Sequence, residues 1–280
     1  MELATREGAA AGGVGETTAA SEAAAAAATA TSANAWNNIG LLLHAQFDGS
    51  GATGAKLHAA IAAFQTAVQL APEDEAPLAN MATSFSAGGA HAEAADAHGK
   101  AVALLLKKKK KKGSFDMLYR FGVLLKPVQR LREAEAAYEG ALALRPASAD
   151  ALHNLGDVQL AQGAARRGEA VASFRRAIAA AAPGGHFHAF NSLGNAHLAA
   201  LTQGAAVDDG SGAAAAAEEA YRRALEVRPD TAAVFQNLGM ALLRQGKARY
   251  GEAAEAYAQV VRLQPQNAQA ATTLRALQNM

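Results

Sequence analysis

Residues 118–146 read LYRFGVLLKPVQRLREAEAAYEGALALRP. Leu118, Phe121, Gly122 and Leu125 fall at i, i+3, i+4 and i+7, one face of an α-helix. Pro127 interrupts that helix, and Ala134, Tyr138 and Ala141 restart the same spacing before Pro146 ends it. Two amphipathic helices joined by a turn form a hairpin, in which Gly122 allows close approach of the two helices.

The order of these landmarks recurs. Trp36, Ile39, Gly40 and Leu43 are followed by Ala60, Phe64, Ala67 and Pro72. Leu78, Met81, Ala82 and Phe85 precede Ala94, His98 and Ala101, with His98 in the aromatic position and Leu106 in place of proline. Leu152, Leu155 and Gly156 pair with Ala170, Phe174, Ala177 and Pro183. Phe190, Leu193 and Gly194 pair with Ala217, Tyr221, Ala224 and Pro229. Phe235, Leu238, Gly239 and Leu242 pair with Ala253, Tyr257, Val260 and Pro265. This run of Leu, Gly, Ala, aromatic and Pro resembles the tetratricopeptide repeat, whose period is about 34 residues. The resemblance covers residues 33 to 280 and implies an all-α, right-handed superhelical solenoid. The expected hairpins are 33–74, 75–108, 115–148, 149–184, 187–231 and 232–267, with 268–280 as a C-terminal capping helix. In the cap, Arg275 stands where earlier copies carry Gly or Ala, and a polar residue there is expected to stop further stacking.

Composition agrees with this reading. More than a quarter of the residues are alanine, the strongest helix former. No run of about 18 strongly apolar residues occurs, so no membrane partner is expected. The chain has no cysteine, which removes disulfides, thiolate chemistry and zinc's usual sulfur ligands. An intracellular, cytoplasmic location follows as the simplest expectation. The net charge is +1, and Lys107 to Lys112 supply six positive charges, so the remainder stands at −5. A general nucleic-acid surface is therefore not expected, and the lysine run reads as a solvated helix extension or loop, with contact to an acidic partner or a nuclear import signal as its functional alternatives. Residues 1–32, rich in Ala, Gly and Thr with few large apolar side chains, are expected to form a disordered leader, with Ser21 to Ala30 as a frayed helix.

No catalytic constellation emerges. Gly49 to Lys56 reads GSGATGAK, but Leu57 replaces the hydroxyl residue that a phosphate-binding loop uses on magnesium. The eight histidines show no metal-ligating pair at helical spacing. His186 and His188, beside a Gly-Gly turn, read as a hairpin boundary, and Asp208, Asp209 and Ser211 lack the ordered ligand series of a calcium loop. No metal, cofactor or catalytic residue is expected.

Two residues before each small packing residue stand Asn38, Asn80, Arg120, Asn154, Ser192 and Asn237. In the repeat family the first helix of each hairpin lines a concave groove, and this position faces into it. The resemblance thus implies a polar ladder, joined in the same phase by Asn37, Tyr119, His153, Asn191 and Gln236, and after the small residue by Thr83, Asp157 and Asn195. Asparagine both donates and accepts, so it suits the backbone of an extended peptide. Such a ladder resembles that of O-linked N-acetylglucosamine transferases, which raises a substrate-recruiting subunit of an enzyme complex as an alternative. The co-chaperone carboxylate clamp is matched at Asn80 and Arg120 only, with Asn37, Leu41 and Asp116 at its other positions. Loss of both lysines removes most of the charge that would hold a carboxylate. The expected function is a non-catalytic scaffold that binds a partner protein or extended peptide.

Overall fold

The computed structural model describes residues 13–49, 53–108, 114–181, 184–202 and 211–280. They form thirteen α-helices, with no strand among them: α1 (Gly13–Ala45), α2 (Gly54–Leu70), α3 (Glu75–Ala87), α4 (His91–Lys107), α5 (Ser114–Leu125), α6 (Leu131–Leu144), α7 (Ala149–Ala161), α8 (Arg167–Ala180), α9 (Phe187–Thr202), α10 (Ser211–Val227), α11 (Ala232–Arg244), α12 (Tyr250–Leu263) and α13 (Ala268–Gln278). The chain divides into two compact units, Met1–Met117 and Leu118–Met280. The first holds the hairpins α1/α2 and α3/α4; the second runs from the body of α5 through α13. Lys109 to Lys112, Pro183 and the acidic pair at Asp208 and Asp209 lie outside the described residues.

Local chemistry sets several helix starts. The side chains of Asp74, Ser148 and Asn267 accept from the backbone N–H of Ala76, Ala151 and Ala270, at 3.0, 3.4 and 3.0 Å. Each satisfies a donor that the first turn of a helix leaves open. Gly163 and Gly246 adopt φ of +124° and +101°, a region costly for any residue with a Cβ, and each opens a short 3-10 turn leading into α8 or α12.

The core joint of five of the six hairpins is a ring laid on a glycine. A Cβ on Gly40 would stand 2.5 Å from the Phe64 ring, and one on Gly194 would stand 2.5 Å from that of Tyr221. Gly122 meets Tyr138, Gly156 meets Phe174 and Gly239 meets Tyr257 in the same way. Phe64, Tyr138, Phe174 and Tyr221 are fully buried, a contribution of about 2–3 kcal/mol each. Within each unit, a second helix packs on the first helix that follows it: α2 on α3, then α6 on α7, α8 on α9, α10 on α11 and α12 on α13. Phe190, Tyr221, Val234, Leu238 and Leu242 share one cluster across α9 to α11. The second hairpin keeps the joint with altered pieces: Ala82 carries a Cβ, and the smaller His98 ring takes the aromatic place, buried, its Nε2–H donating to the Met117 carbonyl at 3.0 Å.

Two expectations are corrected. Residues 13–32 are helical, continuous with α1, so the helix expected over Ser21 to Ala30 reaches further upstream into the segment expected as a disordered leader; the packed end at 33–45 nucleates the helix, and alanine, with its high helix propensity, extends it. Residues 1–12 lie outside the described residues. Trp36 and Ile39, expected in the core, are each 41% exposed, because no second helix precedes α1 among the described residues to cover them. At the other end α13 packs on α12, burying Ala270 and half-burying Leu274 and Leu277 beside Tyr257 and Val260.

Candidate functional site

Within each unit the first helices of consecutive hairpins lie side by side, and the sequence-predicted polar residues bridge them. In the first unit Asn80 donates through Nδ2 to Asn37 Oδ1 at 2.9 Å, while Asn38 is exposed. In the second unit Asn154 Nδ2 donates to the Tyr119 hydroxyl at 3.0 Å, and Asn237 Nδ2 donates to Asn195 Oδ1 at 3.1 Å. Tyr221, rising from α10 beneath, donates its hydroxyl to the same Asn195 oxygen at 2.8 Å. Arg120 is exposed, Gln236 is half-buried, and Asn191 is half-buried with its Oδ1 enclosed and unpartnered. The ladder is therefore largely a set of bonds between neighbouring hairpins, with Asn38 and Arg120 as its open members.

His153, Ser192 and Asp157 come together between α7 and α9. His153 Nε2 lies 3.2 Å from Ser192 Oγ, and Ser192 Oγ donates to Asp157 Oδ1 at 3.3 Å. The carboxylate is the stronger acceptor and takes the serine proton, which leaves the serine oxygen to accept from the His153 Nε2–H. That polarity is opposite to the one that activates a serine nucleophile, where the imidazole takes the hydroxyl proton. Burial pushes the His153 imidazole below its ordinary range; Asp157 opposes this, while His186, Lys126 and His188 reinforce it. The ring is neutral at pH 7. Lys126 balances Asp157 at 3.2 Å. His186 stacks on His153 with centroids 5.3 Å apart, and both of its nitrogens are engaged: Nδ1 accepts from the Ala189 N–H and Nε2 donates to Asp150, each at 3.0 Å. Among the described residues no group of three or more His, Asp or Glu is placed to hold a metal ion.

One turn further along the first helices, α9 and α11 enclose a cleft of about 480 Å³ lined by Asn195, Leu198, Ala199, Met240, Leu243 and Arg244. Its floor is apolar, its rim carries a guanidinium, and Asn195 is fixed by two donors. Asn195 belongs to the expected ladder; the other lining residues were missed in the sequence, although Leu198 and Leu243 stand four places after Gly194 and Gly239. A larger cleft of about 820 Å³ opens among α2, α3 and α4, over Val68, Pro72, Leu78 and Leu104, with Lys100 and Lys107 at its edge.

A second unpredicted feature is a clamp that occurs twice. Arg166, in the turn before α8, reaches back to Glu135 on α6 through two bonds of 2.6 Å, and also holds Glu169 and Gln162. Arg249, in the turn before α12, makes the same set with Glu218 on α10, Glu252 and Gln245. Hydrogen bonds from Arg166 hold the Glu135 carboxyl below its usual range against the opposing effect of burial. At Glu218 burial pushes upward, but Arg249, Gln245 and Arg222 together bring it down. The signal was legible as Gln-Gly-x-x-Arg-x-Gly-Glu-Ala at 162–170 and 245–253.

No protein-family model matches the chain, and no curated protein matches it in sequence. Solved structures do match its fold. PilF of Pseudomonas aeruginosa superposes with a TM-score of 0.58 at 15% identity, covering 90% of this chain and 99% of that one. YrrB, described as a TPR protein with an unusual peptide-binding site, gives 0.53 at 19% identity, covering 78% and 98%. MamA gives 0.54 at 19% identity, covering 71% and 96%. Paired helices, the glycine–ring joint and these likenesses agree: the chain has the fold of the tetratricopeptide-repeat proteins, an all-α solenoid of stacked helix hairpins.

Proposed function

We propose that the chain is a non-catalytic scaffold that receives an extended segment of a partner protein along the first helices of its Leu118–Met280 unit. The observation that carries this reading is the cleft between α9 and α11. An apolar floor of Leu198, Met240 and Leu243 beside Asn195 and Arg244 suits an apolar side chain whose neighbour is acidic. Asn195 supplies a preorganised polar contact because its side chain is already fixed by Tyr221 and Asn237. The His153–Ser192–Asp157 contact supports the non-catalytic part, since its proton order directs the serine hydroxyl to Asp157 rather than to the His153 imidazole.

The test compares partner capture from native lysate by the wild-type chain and by variants. Arg244→Glu with Met240→Lys alters exposed residues of the cleft, and Asn38→Ala with Arg120→Ala removes the open ladder members. Replacing Asn80, Asn154 or Asn237 is less informative, because each also joins two hairpins. Loss of the same partners in the Arg244→Glu, Met240→Lys variant, with helicity intact, supports the reading. Retention there and loss on Lys100→Glu with Gln69→Glu moves the site to the α2–α4 cleft. An activity that co-purifies with the captured partners identifies a recruiting subunit of an enzyme complex instead.

A further inference from the structure

The residues that α1 leaves uncovered are ones that the other hairpins bury or, at Met81, Phe121 and Phe235, half-bury. Counted from the small packing residue, Trp36 corresponds to Leu78, Leu118, Leu152 and Phe190, which are 2–9% exposed, whereas Trp36 is 41% exposed. Ile39, also 41% exposed, corresponds to the buried Leu155, Leu193 and Leu238. Where the preceding second helix lies in the same unit, such positions pack against it, as Leu193 does with Ala170 and Phe174 of α8. In α1 they continue upstream as one stripe at alternating three- and four-residue steps: Ala25, Thr29, Ser32, Trp36, Ile39 and Leu43. This stripe runs beside the one that faces α2, where Ala33 is buried and Gly40 meets Phe64.

Three properties of the stripe decide what fits it. Its first half is small and its second half is large. From Ala23 to Leu43 the helix carries no Asp, Glu, Lys or Arg, so two such faces meet without charge repulsion. The hydroxyls of Thr29, Thr31 and Ser32 donate to the carbonyls of Ala25, Ala27 and Ala28 at 2.9, 2.9 and 3.0 Å, so their donor protons stay satisfied when water leaves. A helix that is small at one end and large at the other is complementary to its own antiparallel copy.

We propose that a second copy of this chain covers this face, α1 pairing antiparallel with α1 of the partner about a two-fold axis near residue 34. Trp36 then lies against Ser32 of the partner subunit, and Ile39 against Thr29 of the partner subunit. The interface is isologous, each half supplying both the knobs and the space that receives them. The uncharged stretch is about 31 Å long at 1.5 Å per residue, so the contact is confined to one helix from each copy. A dimer joined by one helix pair is expected to dissociate on dilution.

Sedimentation equilibrium of the full chain from about 1 to about 100 µM tests this. The expected result is a concentration-dependent rise from 28.5 kDa to twice that mass. Ile39→Glu and Ser32→Lys, both at exposed positions, are expected to hold the chain at the single mass with an unchanged circular dichroism spectrum. The orientation is tested by cross-linking, which the absence of native cysteine makes clean. Thr29→Cys and Ile39→Cys chains mixed under oxidation are expected to join to each other and not to themselves, since residues 39 of the two copies stand about 15 Å apart. A wild-type chain that stays at 28.5 kDa throughout, or that is single and floats with phosphatidylcholine vesicles, overturns the proposal. So does a dimer that survives both charge variants, or one that cross-links only 39 to 39.

Discussion

The second and fifth hairpins close the same joint with different pieces. In the fifth, Gly194 leaves room for the Tyr221 ring, and the hydroxyl at the far end of that ring reaches Asn195. In the second, Ala82 and His98 stand at the corresponding places, both buried, and the His98 ring nitrogen reaches the Met117 carbonyl. A larger small residue is matched with a smaller ring, while the polar end of the ring finds whatever acceptor its surroundings offer. The third hairpin shows what happens when none is offered: Tyr138 is fully buried, its hydroxyl has no partner, and Val123 stands where Asn195 stands in the fifth.

The largest expected effect comes from breaking the fit. Gly194→Ala puts a methyl into the Tyr221 ring and is expected to cost about 1–3 kcal/mol in urea unfolding. His98→Tyr in the second hairpin makes the converse overfilling against Ala82, with a cost of similar size. Adding Ala82→Gly is expected to recover part of it, so that a double-mutant cycle shows coupling of at least about 0.5 kcal/mol. Additive costs would mean that the two positions do not share one volume.

The polar end is sharper to test because only one atom changes. Tyr221→Phe removes the hydrogen bond to Asn195 and is expected to cost about 1 kcal/mol. Tyr138→Phe removes a buried hydroxyl that makes no bond and is expected to be neutral or slightly stabilising. Equal losses at the two sites would show that Tyr138 has a partner in solution.

The smallest effect concerns the clamps that Arg166 and Arg249 make in the fourth and sixth hairpins. Glu135 and Glu218 are held below their ordinary range in the folded chain, so their contribution is present above the unfolded glutamate value and is lost as pH falls through the folded one. Thermal unfolding between pH 6 and pH 3 is expected to show a smaller acid destabilisation in Glu135→Gln with Glu218→Gln than in wild type. Identical acid slopes would assign acid sensitivity to other carboxylates.

How much of this was legible depends on distance along the chain. The helix pairs and their boundaries follow from the periodicity of Leu, Gly, Ala and aromatic residues and from proline, all of which act within one or two turns. The polar ladder was found by phase, because every third or fourth residue of a helix shares a face. What phase leaves open is the partner of each side chain. Asn80, Asn154 and Asn237 point to the ladder's side, yet they bond to Asn37, Tyr119 and Asn195, 35 to 43 residues away. The cleft at Met240 and Arg244 and the exposure of Trp36 likewise arise from which helix lies next to which.

The sequence by itself determined the repeat, the helices and the residue types at each joint, because those rest on local propensity and on a spacing written in the chain. Tertiary structure alone decided which polar groups are engaged and which apolar ones are left uncovered. Both depend on the neighbouring hairpin: it satisfies Asn195 and covers Leu152, and where none precedes α1 among the described residues, it leaves Trp36 and Ile39 exposed.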